Sequence, residues 1–377
     1  VAGAPEGVKG ISLFICPKIL EDGARNDVRC VSIEHKLGIK ASPTAVLQYG
    51  DAGGAVGYLI GQENRGLEYM FVMMNAARFG VGVQGIAVAE RAYQKAVQYA
   101  RDRVQSRPVD GSVHAAAPII HHPDVRRMLM TMRAHTEGCR AMALVAAGAF
   151  DAAHAHPDEA VRRENQAFYE FLVPLVKGLS TEMSLEVASL GVQVHGGMGF
   201  IEETGAAQYL RDAKILTIYE GTTAIQANDL VGRKTARDGG ALARGLAQRV
   251  AATEAALLGR PGPHGHAIAR RLAAARAAFL EVVNFVVERT RSDPNAVFAG
   301  SVPYLMMAGT LVAGWQMARA FMAAEDLHAA GEDPGFMQAK ITTCRFYADH
   351  LLPRTLAWRD SIVDGAAAVT DMPLDAF

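Results

Sequence analysis

The chain is predicted to be mainly α: a partial β segment at its start, then an antiparallel four-helix bundle, then a further helical domain at the C-terminus. Three observations predict this. Strand-like runs separated by Gly-rich turns occur only before about residue 63. From Gly66 onward the apolar residues recur at helical spacing in a chain rich in Ala, Met and Val. The helical runs are long and their connections short, so consecutive helices fold back on one another.

The β segment has four candidate strands, at about 10–16, 28–33, 44–49 and 56–60. Val28 to Ile33 alternates apolar and polar residues as a half-buried strand does. A few strands of this kind do not close a stable sheet without partners. Together with an opening residue that is Val rather than Met, this leads us to expect a piece of a longer polypeptide. A proline-free run from Leu67 to about Val104 gives a first helix well over about 50 Å long. Helices follow at about 119–154, 158–195, 206–218 and 222–233, and Ala-rich amphipathic ones at 241–258, 266–292, 300–329, 335–351 and 353–366. The expected division is 1–65, 66–235 and 236–377.

At 377 residues there is room for two or three domains. A formal net charge of -1 leaves no whole-chain field to attract nucleic acid or an anionic membrane, so neither is an expected partner. An anionic ligand has to be met by a few placed arginines. No uninterrupted apolar run reaches the roughly 18–20 residues of a membrane span. Cys16, Cys30, Cys139 and Cys344 are scattered with no close pair, which points to free thiols in a reducing compartment, the cytoplasm.

Several segments carry possible chemistry. Gly80-Val81-Gly82-Val83-Gln84-Gly85 fits a dinucleotide fingerprint, but it lies inside a helix with no strand before it and reads as helix packing. His121, His122, His154 and His156 lack metal-ligand spacing and read as surface or cap residues. Met70, Met73 and Met74 read as core or pocket lining. Gln193-Val194-His195-Gly196-Gly197-Met198-Gly199-Phe200 has three glycines in four positions, more than a helix stop needs, and lets backbone approach a ligand or another chain. In Arg211 to Thr223, Glu220 follows an apolar helix and precedes Gly221 and a threonine suited to capping. It either caps the next helix or, partly desolvated beside Ile218 and Tyr219 with its pKa raised, serves as a general base.

The last two segments together resemble the acyl-CoA dehydrogenase family, whose C-terminal bundle carries Q-x-x-G-G-x-G-F, R-D-A-K/R and I-Y-E-G-T in this order. Lys36 to Thr44 is similar to the family's K-M/L-G-x-R/K-x-S segment, and Gly61 to Leu67 to the entry of its first bundle helix. The likeness covers about residues 7–235. The helices beyond it resemble the longer bacterial branch with an appended C-terminal domain, similar to the methylmercaptopropionyl-CoA dehydrogenases.

The resemblance implies an FAD-dependent enzyme that removes an α-proton and a β-hydride from an acyl-CoA thioester. By it Glu220 is the base, with Arg78, Tyr219 and Gly221 near the substrate. Arg103 and Gln105 are implied at the FAD pyrophosphate, Gln193, Gly196 and Gly197 at the adenosine side of a neighbouring subunit's flavin, and Ile218 and Thr222 at the flavin. It further implies a homo-oligomer, dimer or tetramer, with electron-transferring flavoprotein as electron acceptor. An oxidase of the same fold, or an inactive relative acting as a binding protein, is the alternative. Three positions depart from the family: Ala77 where some members carry the base, Ser106 for a common phenylalanine, and Ala224 for a glutamine. The family's N-terminal helical domain and first half of the β domain have no counterpart in this sequence, so weak FAD binding by this chain is expected.

Overall fold

Residues 1–377 are all described by a computed structural model, and they fall into two units, Val1–Ala77 and Arg78–Phe377. In the first, β1 (Leu13–Ile15) pairs antiparallel with β4 (Tyr58–Ile60), and β2 (Val28–Ile33) with β3 (Ala45–Tyr49). A register shift between Cys30 and Ser32 breaks the second ladder. The strands thus form two separate ribbons, as expected of strands without further partners. Asn26 is the buried polar tie of this unit: its Nδ2 donates to the carbonyls of Pro17 (2.7 Å) and Val56 (2.9 Å). Phe14, Ile15, Val31, Ile33 and Tyr49 remain exposed.

The helices are α1 (Gly66–Asp102), α2 (Pro123–Ala155), α3 (Glu159–His195), α4 (Ala206–Lys214), α5 (Thr223–Val231), α6 (Ala241–Leu258), α7 (Pro263–Arg289), α8 (Pro294–Ala299), α9 (Ser301–Ala329), α10 (Pro334–Phe346), α11 (Arg354–Val363) and α12 (Ala366–Thr370). Their starts follow local chemistry. Proline opens α2, α7, α8 and α10, where a missing N–H costs nothing. Asp158 and Thr222 cap α3 and α5 by accepting from Ala160 N (2.8 Å) and Ile225 N (3.3 Å).

The glycines of the fingerprint-like stretch do serve packing. A Cβ at Gly82 would stand 2.7 Å from the Val176 carbonyl oxygen, and one at Gly85 2.6 Å from that of Ser180, so α1 lies backbone-close on α3. By length and composition α1 is apolar enough to cross a membrane, with mean hydropathy 1.3, which corrects the expectation of no such stretch. Its alanines and glycines raise that value without forming a solid apolar run, and in this fold Val81, Ile86, Ala89, Ala92, Ala96 and Ala100 are core residues.

The expected boundary near 235 is a chain connection but not a break in the core. Helix α9 is apolar on nearly all sides, so it needs cover all round. It packs on α2, α3 and α5 and also on α6, α7, α10 and α11, merging the C-terminal helices with the bundle. The boundary expected at 65/66 coincides with the start of α1, whereas the first unit runs on to Ala77.

Candidate functional site

Helix α4 ends at Lys214, and residues Ile215–Thr217 tighten into a 3-10 turn that delivers Glu220 to the gap before α5. Glu220 has φ 54° and Gly221 φ 89°, two successive left-handed residues. For glutamate this conformation costs about 1 kcal/mol or more and persists only where surroundings enforce it. They do so here from below. Lys177 Nζ on α3 donates to the Gly221 carbonyl at 2.6 Å. The Gln226 amide lies 3.4 Å from the Glu220 carbonyl oxygen and 3.5 Å from that of Gly221. Thr222 closes the loop by capping α5, as the sequence suggested.

Lys177 and Gln226 are wholly buried, within a polar layer that few apolar cores contain. Thr223 Oγ1 donates to Glu182 Oε1, and Arg78, itself buried, faces Asp229 with Nη1 3.8 Å from Oδ2. Asp229 is shared with Arg233, four residues further along the chain. Burial brings the Lys177 ammonium down to about 8; Glu182 opposes this, Arg78 adds to it, and Glu220 opposes it. Arg78 Nε and Gln226 Oε1 are buried without a partner. Tyr219 donates from its hydroxyl to Gln84 Oε1, and burial, then the Glu220 carboxylate, raises its pKa.

One expectation is corrected. Glu220 and Ile218 are exposed, so this chain by itself does not desolvate the carboxylate. The supports beneath Glu220 contact the backbone of the loop and leave its side chain at the surface.

Arg103 and Gln105 lie past the end of α1 in a short extended stretch. Gln105 N donates to Ala117 O (3.0 Å), Ile119 N to Arg103 O (2.8 Å), and His122 Nε2 contacts Gln105 O (2.7 Å). Both side chains are exposed, and Arg103 takes part in no ion pair. Gln193 is exposed near the end of α3, which Gly196 stops with φ 58°. Gly196 and Gly197 are exposed, with nothing within 4 Å of a built Cβ, so their backbone is open to a ligand. Tyr99 and His195 stack at 4.3 Å and join these two stretches. Residues 103–105 and 193–197 therefore share one end of the bundle. Lys177, under Glu220, lies roughly 27 Å back along α3, so the chain does not gather all the predicted site residues into one place.

His122 and His154 make local backbone contacts, and no cluster of metal-ligating side chains forms around any of the four histidines. Lys177, Glu182, Gln226 and Asp229 were missed in the sequence. The available signal was Lys177 itself, a single cation after the apolar run Phe171 to Val176 in a helix.

The fold is a helical bundle with a carboxylate on a strained loop at one place and, at its other end, an exposed arginine and open glycine backbone. Residues 64–234 match the family model described as "Acyl-CoA dehydrogenase, C-terminal domain", and residues 246–373 the one described as "Acetyl-CoA dehydrogenase C-terminal like". The chain belongs to the acyl-CoA dehydrogenase family. It is 57% identical over 366 residues to 3-methylmercaptopropionyl-CoA dehydrogenase of Ruegeria pomeroyi, covering 96% of this chain and 61% of the relative. It is 36% identical over 386 residues to a broad-specificity linear acyl-CoA dehydrogenase of Mycobacterium tuberculosis, covering 96% and 62%. The chain thus spans less than two thirds of the length of these relatives. An acyl-CoA dehydrogenase of Bacillus anthracis complexed with FAD has the same fold, with TM-score 0.72 at 21% identity over 96% of this chain and 63% of that one.

Proposed function

We propose that this chain supplies the proton-abstracting part of an FAD-dependent acyl-CoA dehydrogenase that converts an acyl-CoA thioester to the trans-2-enoyl-CoA. The observation that carries the reading is the left-handed Glu220–Gly221 pair, held from below by Lys177 and Gln226.

A thioester acidifies its α-hydrogen, but not enough for water to take it quickly. Glu220 accepts that proton on its carboxylate. In this reading the Glu220 backbone N–H donates to the thioester oxygen as negative charge develops there, typically a large catalytic contribution. Tyr219 and Gly221 flank the acyl chain, and Arg78 adds positive charge in the layer beneath. Glu220 is exposed in the free chain, so water around the carboxylate would be excluded only where substrate and flavin cover it. Bound FAD would supply the acceptor for the β-hydride.

The residues fit that cofactor. Arg103 brings an unpaired, exposed guanidinium suited to a pyrophosphate, and Gly196 and Gly197 bring open backbone beside it. Ile218, exposed, and Thr222 border the loop that faces the flavin. Since Gln193 lies roughly 24 Å along α3 from Lys177, with Arg103 and Gln105 at that same end of the bundle, we infer that the two clusters serve different flavins in a homo-oligomer, a dimer or tetramer. Electron-transferring flavoprotein is the proposed acceptor, and four free thiols suit the cytoplasm.

The test is flavin reduction by a panel of acyl-CoA thioesters, with 3-methylmercaptopropionyl-CoA and straight-chain thioesters first, using full-length FAD-loaded protein and its Glu220→Gln variant. At least one thioester is expected to bleach the flavin, and the variant to lose about 10²–10⁴-fold in rate. Undiminished bleaching in the variant removes Glu220 as base; no bleaching by any thioester removes the reaction. Reoxidation faster by oxygen than by electron-transferring flavoprotein turns the assignment to an oxidase.

A further inference from the structure

We propose that Lys177 is a positioning residue for the base: a buried ammonium on α3 that fixes the Gly221 carbonyl and thereby sets the aim of Glu220. The inference rests on the reading of Glu220 as base and adds to it a residue outside the family's loop motif.

Three observations carry it. First, Lys177 Nζ makes its hydrogen bond to Gly221 O at 2.6 Å, and the side chain has no exposed surface. A lysine is rarely buried without a task, since its ammonium is strongly hydrated in water. Second, the bond lands where the backbone is strained. Glu220 at φ 54° and Gly221 at φ 89° would relax to a right-handed turn if released, carrying carboxylate and N–H away from their present places. Third, no carboxylate takes the lysine into a close ion pair. Glu182 is engaged by Thr223, and Asp229 by Arg78 and Arg233. Its donor is thus committed to the loop backbone, and its charge is felt by Glu220 above and by Glu182 beside it.

Gln226 is the weaker second support, with contacts of 3.4 and 3.5 Å to the same two carbonyls. Release of one short bond therefore leaves a loop that is still closed but less well aimed. Misplacement on the scale of 1 Å at a reacting group costs about 10²-fold in rate. Such a loss belongs to the proton-transfer step, with substrate binding left largely intact.

The test uses full-length, FAD-loaded enzyme and rapid mixing with whichever thioester reduces the wild type, comparing Lys177→Met, Lys177→Gln and Glu220→Gln. Lys177→Met is expected to lose about 10²-fold in the limiting rate of flavin reduction while thioester affinity stays within about 3-fold. Lys177→Gln, which keeps an N–H donor, is expected to recover part of the rate. Both are expected to show a larger α-deuterium isotope effect than wild type, because proton transfer from carbon has become the slow event. A wild-type rate in Lys177→Met overturns the proposal, as does an equal loss of rate and affinity. If the methionine variant does not load flavin, the glutamine variant decides: an unchanged rate and isotope effect there also overturns it. The base reading fails separately, through a Glu220→Gln variant that still reduces flavin, whatever Lys177 does.

Discussion

Arg354 and Glu186 are joined by a fork of two hydrogen bonds, Nη1 to Oε2 at 2.9 Å and Nη2 to Oε1 at 2.8 Å. The fork ties α11 to α3, and His135 of α2 stands 3.3 Å from the same carboxylate. Burial pushes the Glu186 pKa up, but hydrogen bonds from His135 and Arg354 outweigh it and hold the carboxyl well below its usual range. A depressed carboxylate stabilises the fold above its unfolded pKa and loses that contribution as pH falls towards the folded one. Arg354→Met is therefore expected to cost about 1–2 kcal/mol at pH 7, a value limited by the partial exposure of the pair. The difference from wild type should shrink as pH falls below about 4. Urea unfolding at several pH values measures it, and a gap that ignores pH rules out the ion pair as its source.

Tyr347 fills the space above Gly138. A Cβ at Gly138 would stand 2.6 Å from the Tyr347 ring, and that ring is buried with its hydroxyl donating to Thr310 O at 3.1 Å. A Cβ at Gly314 would instead meet the terminal Cδ2 of Leu352 at 2.6 Å and the Tyr347 ring at 3.1 Å. A methyl at the end of a side chain turns aside more easily than a pinned ring. Gly138→Ala is expected to destabilise by about 1–3 kcal/mol and Gly314→Ala by less. Unfolding midpoints in urea give the ranking, and the reverse order would show that the ring moves freely.

What was legible in the sequence was local. Tyr219-Glu220-Gly221-Thr222 announced a carboxylate on a glycine turn with a cap after it, and each feature stands where expected. Lys177 was not legible as a partner, because its meaning comes from a contact with Gly221, 44 positions away. Its burial was hinted at only by the apolar run before it. Helix α9 reads as buried from its composition, but nothing local says that its cover includes α2, α3 and α5, so the continuity of the core across residue 235 was not legible. The exposure of Glu220 was missed for a related reason: Ile218 and Tyr219 suggested an apolar surround, yet Ile218 is itself at the surface.

Lys177 also predicts a pH dependence of stability. Burial lowers it from 10.5 to about 8, so the unfolded chain holds this proton more tightly than the folded one. The buried charge is then a penalty below pH 8 that is relieved as pH rises from about 8 to about 10.5, by up to about 3 kcal/mol. Cys139 and Cys344, pushed up to about 12 by burial, act the other way above pH 9, because the unfolded thiols ionise first. A difference between variants removes their contribution. Lys177→Met is expected to gain on wild type at pH 7 and to lose that advantage towards pH 10.5. A pH-independent difference would mean that burial does not shift the Lys177 pKa, because the folded and unfolded chains would then hold its proton equally.

Gly221→Ala and Gly197→Ala separate the two clusters. At Gly221 φ is 89°, and a Cβ would lie 2.8 Å from Gln226 Nε2 and 3.3 Å from Ile225 Cγ2. Alanine there is strained and presses on a buried amide that supports the same loop, so Glu220 shifts. In the flavin-loaded full-length enzyme this variant is expected to lose about 10²-fold in the rate of reduction by thioester, with little change in bound flavin. Gly197 is exposed with open space where a Cβ would go, so alanine costs the free chain little. If its backbone meets the flavin of a neighbouring subunit, the added methyl should weaken FAD binding and leave the reduction rate of loaded enzyme unchanged. Flavin content by absorbance and rapid-mixing reduction of the same samples read both effects. Slowed reduction in loaded Gly197→Ala would show that its cluster also shapes the reacting end of the site and remove the division of roles drawn from their separation.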